Sequence, residues 1–179
     1  MTTIIETPRM LLRKFTLADV PATYEYNSNP EVQKYTGDEL VASLERAEEI
    51  MKDVVFKDYE TYGYGRLAAV YKPENKVIGF AGFKYLPFIE DADIGFRFLP
   101  KYWGQGIATE VSHALVKYGF ETMKLPRIIG IAYPDNIGSC KVLEKIGLTF
   151  YKMDEYEGDG GNYRWYKMEA AEYESLQNG

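Results

Sequence analysis

The stretch ADIGFRFLPKYWGQGIATEVSHALVKYGFETM, from Ala92 to Met123, constrains the fold more than any other part of the chain. Its opening, about Ala92 to Leu99, reads as a strand, and Pro100 stops it. KYWGQG then opens a long helix, Ile107 to Met123, with Ile107, Val111, Ala114, Leu115, Tyr118 and Met123 on one buried stripe. A turn with two glycines, Gly104 and Gly106, tolerates unusual φ and lets backbone come close to a ligand. The free N–H groups of Gln105 to Thr109 would point out of the helix start, where the dipole favours an anion. The turn lacks the ending of a Walker A loop, and Thr109 stands where a dinucleotide fingerprint has its third glycine. Alone, such a turn is equally open to a packing explanation. Gly63 and Gly65 lead into a strand and read as a loop.

The flanking patterns build a mixed architecture. Met10 to Phe15 reads as a first strand. Thr16, with Asp19 three positions on, starts a helix to about Ser28, which Asn29-Pro30 breaks. Glu31 to Tyr35 fits one helical turn. Ser43 precedes an amphipathic helix, LERAEEIMKDVVFKDY, with Leu44, Ala47, Ile50, Met51, Val54 and Val55 inward. RLAAVY and VIGFAGFKYL, joined by Lys72 to Lys76, form a hairpin. A strand at Arg127 to Tyr133 is followed by a helix from about Gly138 to Ile146, stopped by Gly147. Two last strands, around Phe150 to Tyr156 and Tyr163 to Met168, flank the turn Gly158 to Gly161. The order β-α-α-β-β-β-α-β-α-β-β predicts one α/β domain over residues 1–179. Its mixed, mostly antiparallel sheet of about seven strands is flanked by helices.

Composition narrows the function. A net charge of −6 with no basic run argues against nucleic acid, which needs clustered cations. One cysteine, Cys140, and one histidine, His113, leave neither a disulfide nor a metal site to expect. The start has no leader-like apolar stretch, and no 18-residue apolar run occurs. The expectation is a cytoplasmic protein with no membrane partner, monomer or homodimer. Cys140 reads as a buried structural thiol and His113 as a packed or exposed helix residue.

A second segment, Asn136-Ile-Gly-Ser139-Cys-Lys-Val-Leu-Glu-Lys-Ile-Gly147, ends a strand and starts a helix. Asn136 reads as a helix cap, or as one of a pair of polar groups with Ser139 facing the groove of the glycine turn. IGFRFLPKYWGQGIATE followed about thirty residues later by NIGSCKVLEKIGL resembles the acyl-CoA signature of the GNAT N-acetyltransferase superfamily. The opening ETPRMLLRKFTLADVPATYEYNSNPEVQKYT resembles its ribosomal-protein acetyltransferase branch. The resemblance covers about Thr7 to Met168.

That resemblance implies an acyltransferase (EC 2.3.1.-) using acetyl-CoA and an amine acceptor in a ternary complex. Backbone at Phe96, Arg97 and Phe98 would line the pantetheine arm where strands splay. Gly104, Gln105, Gly106, Ile107, Ala108 and Thr109 would hold the pyrophosphate. Asn136 would hydrogen-bond the pantetheine and Ser139 would lie near the sulfur. The family's Arg or Gln before this turn is Trp103 here.

Acetylating an amine needs its neutral form, scarce for lysine and common for an α-amine. A base therefore helps, and Glu90, Asp91 and Asp93 are the nearby carboxylates. Asp93 stands where the family often has a Glu, so it is the candidate base, through water; the plain reading is a loop or edge-strand carboxylate. The family's Tyr acid four residues after Ser139 is Leu143 here, leaving Ser139 as candidate donor to the sulfur. A backbone N–H of GFRF would hold the oxyanion. Tyr24, Tyr26, Tyr35, Tyr59, Tyr62 and Tyr64 crowd the N-terminal half, which by resemblance shapes the acceptor groove with the last hairpin. Glu45, Glu48, Glu49 and Asp53 read as a solvated helix face, or as a lure for a cation. The expected acceptor is a protein or peptide N-terminus. A polyamine, amino sugar or amino acid is the alternative, as is a CoA-binding module without activity.

Overall fold

The computed structural model describes all residues 1–179. One sheet of eight strands runs in the order β1-β2-β3-β4-β5-β6-β8-β7. Its strands are β1 (Thr3–Glu6), β2 (Met10–Arg13), β3 (Arg66–Tyr71), β4 (Lys76–Leu86), β5 (Asp91–Phe98), β6 (Arg127–Ala132), β7 (Thr149–Asp154) and β8 (Tyr163–Glu169). Every pairing is antiparallel except β5 with β6. The sheet therefore has eight strands where about seven were expected. The extra one is β1, a short edge strand with a single buried residue, Ile5.

The helices are α1 (Val20–Asn27), α2 (Pro30–Gln33), α3 (Leu44–Ile50), α4 (Lys57–Tyr62), α5 (Ile107–Glu121), α6 (Ile137–Lys145) and α7 (Ala170–Asn178). The amphipathic segment after Ser43 is one helix whose middle, Met51–Phe56, widens to π geometry between α3 and α4. Its inward stripe differs at one place: Leu44 is about half exposed. The helix α7 was not expected from the sequence. It is mostly polar and docks through Tyr173, which stacks on Phe120 at 4.9 Å and donates to Glu121 at 2.7 Å.

Strand alternation splits the sheet into two faces. One face carries Phe83, Ile94 and Ile128 and is covered by α5, whose Gly119 approaches Phe83 and Ile128. The other carries Phe80, Lys84, Asp93 and Arg97 and meets α1 through the Tyr26–Phe80 contact. A core of 37 buried residues runs from Ile5 to Tyr173. No helix is long and apolar enough to cross a membrane.

Candidate active site

The parallel strands β5 and β6 share only two residue pairs, Ala92 with Ile128 and Asp93 with Ile129. Beyond them β5 keeps its β4 partners as far as Phe98, and β6 keeps its β8 partners as far as Ala132. The strands therefore part, and a wedge opens in the middle of the sheet with Asp93 at its apex. Backbone groups of Ile94–Phe98 and Gly130–Ala132 line the two arms without a ladder between them.

The glycine turn sits where the β5 arm ends. Gly104 (φ 71) and Gly106 (φ 76) are both left-handed, a conformation other L-residues adopt only at a cost. Gly106 is the N-cap of α5 and no side chain caps this helix, so the N–H groups of its first turn are open to an anion. Trp103 anchors the turn, its indole Nε1 donating to the Phe98 carbonyl at 2.8 Å. Arg9 clasps it from outside. Its Nη1 donates to the Gln105 carbonyl at 2.7 Å, and its Nε donates to Glu110 at 2.6 Å. Thr7 and the Arg9 backbone N–H also donate to Glu110. Burial alone would raise the Glu110 pKa, but these hydrogen bonds hold it below the usual value.

On the other arm, Asn136 caps α6, accepting from the Ser139 N–H at 3.2 Å. The cap reading is thus realised through Oδ1, and the Asn136 amide nitrogen makes no protein hydrogen bond. Asn136 and Ser139 are both half-buried. No hydrogen bond joins Ser139 to Asp93, which lies at the apex.

Asp93 is neither a loop nor an edge residue. It lies within β5, a central strand, opposite Lys84 of β4. Its Oδ1 is buried and unpartnered. Burial pushes the carboxyl up to about 7, against the pull of Lys84, Arg66 and the Ile131 N–H. The other carboxylates are spent or remote: Asp91 is paired with Arg127, and Glu90 is exposed at a left-handed turn position.

Other expected residues sort plainly. The backbone of Phe96, Arg97 and Phe98 lines the wedge, but the Arg97 side chain turns to the other wall, donating to Asn27 at 2.8 Å and Asp38 at 3.0 Å. Leu143 is core, packed where a Cβ on Gly130 would fall. Cys140 is buried and His113 exposed. Of the six N-terminal tyrosines, Tyr26 is core and Tyr59 donates to the Arg66 carbonyl. Only Tyr35 meets the end of β6, through Tyr133. Glu48 and Glu49 pair with Lys52 and Arg46 on an exposed helix face. The sequence reading missed an aromatic wall of Phe88, Tyr133, Tyr156 and Tyr163. It also missed Arg66 and Lys84. A cation inside the apolar run VIGFAGFKYL was the one available signal. A concavity lined by His113, Lys117, Met168 and Tyr173 lies by α5, α6 and α7 and holds none of these residues.

A splayed sheet, an anion-ready helix start and a half-buried carboxylate at the apex define an acyltransferase of the CoA-thioester kind. The family model for the acetyltransferase (GNAT) domain matches residues 9–149. The uncharacterized N-acetyltransferase YnaD of Bacillus subtilis is 36% identical over 145 residues, 80% of this chain and 81% of the relative. A GNAT-family acetyltransferase structure from Bacillus anthracis has a TM-score of 0.79 at 30% identity, covering 93% of this chain and 98% of that one. At 20% identity, RimL, a ribosomal L7/L12 alpha-N-protein acetyltransferase solved with coenzyme A, shares the fold with a TM-score of 0.79, covering 94% of this chain and 98% of that one. This chain belongs to the GNAT acetyltransferase family and is an N-acetyltransferase.

Proposed function

We propose that this chain moves the acetyl group of acetyl-CoA to the α-amine of a protein or peptide N-terminus, by direct attack within a ternary complex. Asp93 carries the reading: an unpartnered carboxyl oxygen at the apex of the wedge, with its pKa pushed up to about 7. A base near the working pH suits an ammonium of pKa about 8, because the proton then moves uphill by only about one unit. From a lysine of about 10.4 the climb is more than three.

The residues fit a CoA thioester. The open N–H groups of Ile107, Ala108 and Thr109, with Gly104, Gln105 and Gly106, would hold the pyrophosphate. Unladdered backbone at Phe96, Arg97 and Phe98 and the free amide nitrogen of Asn136 would hold the pantetheine arm. In the transfer the amine nitrogen bonds to the carbonyl carbon as the C–S bond breaks. Asp93, directly or through one water, takes the proton that the amine loses. A β5 backbone N–H steadies the developing oxyanion. The Ser139 hydroxyl, which makes no protein hydrogen bond, stands as donor to the departing sulfur.

Asp93→Asn tests the base. Thiol release from acetyl-CoA with a peptide acceptor should climb with pH through about 7 in the wild type. The variant should lose about 10² or more in kcat, together with that inflection. An unshifted profile would remove Asp93 from the chemistry.

A further inference from the structure

The face of β3, β4 and β5 opposite α5 holds a charged cluster that the transfer chemistry leaves half unused. Register places Arg66 opposite Gly82, Gly82 opposite Gly95, and Lys84 opposite Asp93. All five residues therefore share one face. A Cβ built on Gly95 meets nothing within 4 Å, so the space above the middle of the cluster is open. Asp58 of α4 joins from above, packed near Gly65.

None of these four charged residues is in an ion pair. Arg66 is half-buried, and its guanidinium makes no hydrogen bond to the protein; it lies over the Phe80 ring at 5.3 Å. Arg97 lies over the same ring at the same distance, but its donors are taken by Asn27 and Asp38. Lys84 turns from Asp93 to donate to the Tyr156 hydroxyl at 3.1 Å. Asp93 Oδ1 and Asp58 Oδ2 are both buried without a partner. Half-buried charges of both signs beside open space, each short of a partner, are costly in an empty site and complementary to a ligand that carries both signs. Burial also pushes the Asp58 carboxyl up, so the acids are the members driven toward neutrality and the cations dominate.

We propose that the acceptor carries an anionic group, a carboxylate or phosphate, which Arg66 and Lys84 bind while its amine lies at Asp93. One to two strand spacings, about 5–10 Å, separate the two ends. That span fits a peptide N-terminus followed by an acidic residue and disfavours a polyamine; a small ω-amino acid has the same span without the α-amine. The inference rests on the transferase reading above, and it names what that site selects.

Matched acceptor pairs test it, with thiol release from acetyl-CoA as the readout. The dipeptide amides Ala-Glu and Ala-Gln form one arm; γ-aminobutyrate and its amide form the other, which separates a peptide source from a small-molecule one. Spermidine is the cationic control. The acidic member of at least one pair should exceed its neutral partner at least tenfold in kcat/KM and outrun spermidine. Arg66→Met should collapse the acidic-to-neutral ratio toward one, read above the Asp93 inflection so that any change at the base falls on both members alike. Equal rates within both pairs, or an acidic-to-neutral ratio unchanged in Arg66→Met, would overturn the anion site. If none of these amines turns over, the peptide-acceptor reading above fails, and the N-acetyl derivatives of the Ala-Glu and Ala-Gln amides are titrated calorimetrically instead. Tighter binding of the acidic derivative, lost in Arg66→Met, upholds the anion site; equal affinities reject it.

Discussion

The two sides of the wedge are built from different materials. The side assigned to the acyl donor is main chain: two left-handed glycines, the open N–H groups of α5 and the unladdered backbone of β5 and β6. The acceptor side is side chain: Asp93, Arg66, Lys84, Asp58 and the tyrosines at the end of β6. A main-chain site binds what every peptide unit can bind, an anion and an amide arm, and leaves little for substitution to alter except the glycines. A side-chain site can be rewritten one residue at a time. Relatives can thus share a donor and differ in acceptor.

Three variants probe that division. The largest effect is expected on the acceptor side, in stability. The folded chain holds a proton on Asp93 that the unfolded chain gives up between about pH 4 and 7, so stability falls as pH rises through that window. Asp93→Asn should therefore be more stable to unfolding than wild type at pH 8, by at most about 4 kcal/mol, and equal to it at pH 4. Acetyl-CoA affinity should stay within about twofold; a larger change would break the division. Gly106→Val comes next. A β-branched residue at φ 76 costs about 1–2 kcal/mol or reshapes the turn. Calorimetry should show acetyl-CoA binding weakened about tenfold or more, and unchanged binding would mean that the turn serves packing alone. Asn136→Ala, on the seam between the two sides, should cost about 1 kcal/mol as a lost cap. A fall in acetyl-CoA affinity beyond that loss would sharpen its role on the pantetheine arm.

The same division explains what the sequence disclosed. The glycine turn, the α5 stripe and the Asn136 cap were legible because glycine, helical period and capping are local rules, each satisfied within a few residues. Arg66 and Lys84 were not, because their meeting with Asp93 depends on the register of three strands. Trp103 stood in the sequence only as a departure from the family's Arg or Gln, whereas its Nε1 ties the turn back to Phe98. The strand β1 has too few apolar residues to announce itself, and α7 buries only Tyr173, whose partner Phe120 lies far along the chain. The π segment keeps Met51 and Val55 inward, so its apolar spacing matched an ordinary helix.

Two residue pairs carry the continuity of eight strands. Mechanically the sheet is two leaves, five strands and three, stitched at Ala92–Asp93 and left open toward Phe98 and Ala132. The splint across the stitch is α5, which touches β4, β5 and β6 alike. Along the open seam the two leaves are held by packing rather than by a ladder, and the helix that splints them begins at the glycine turn.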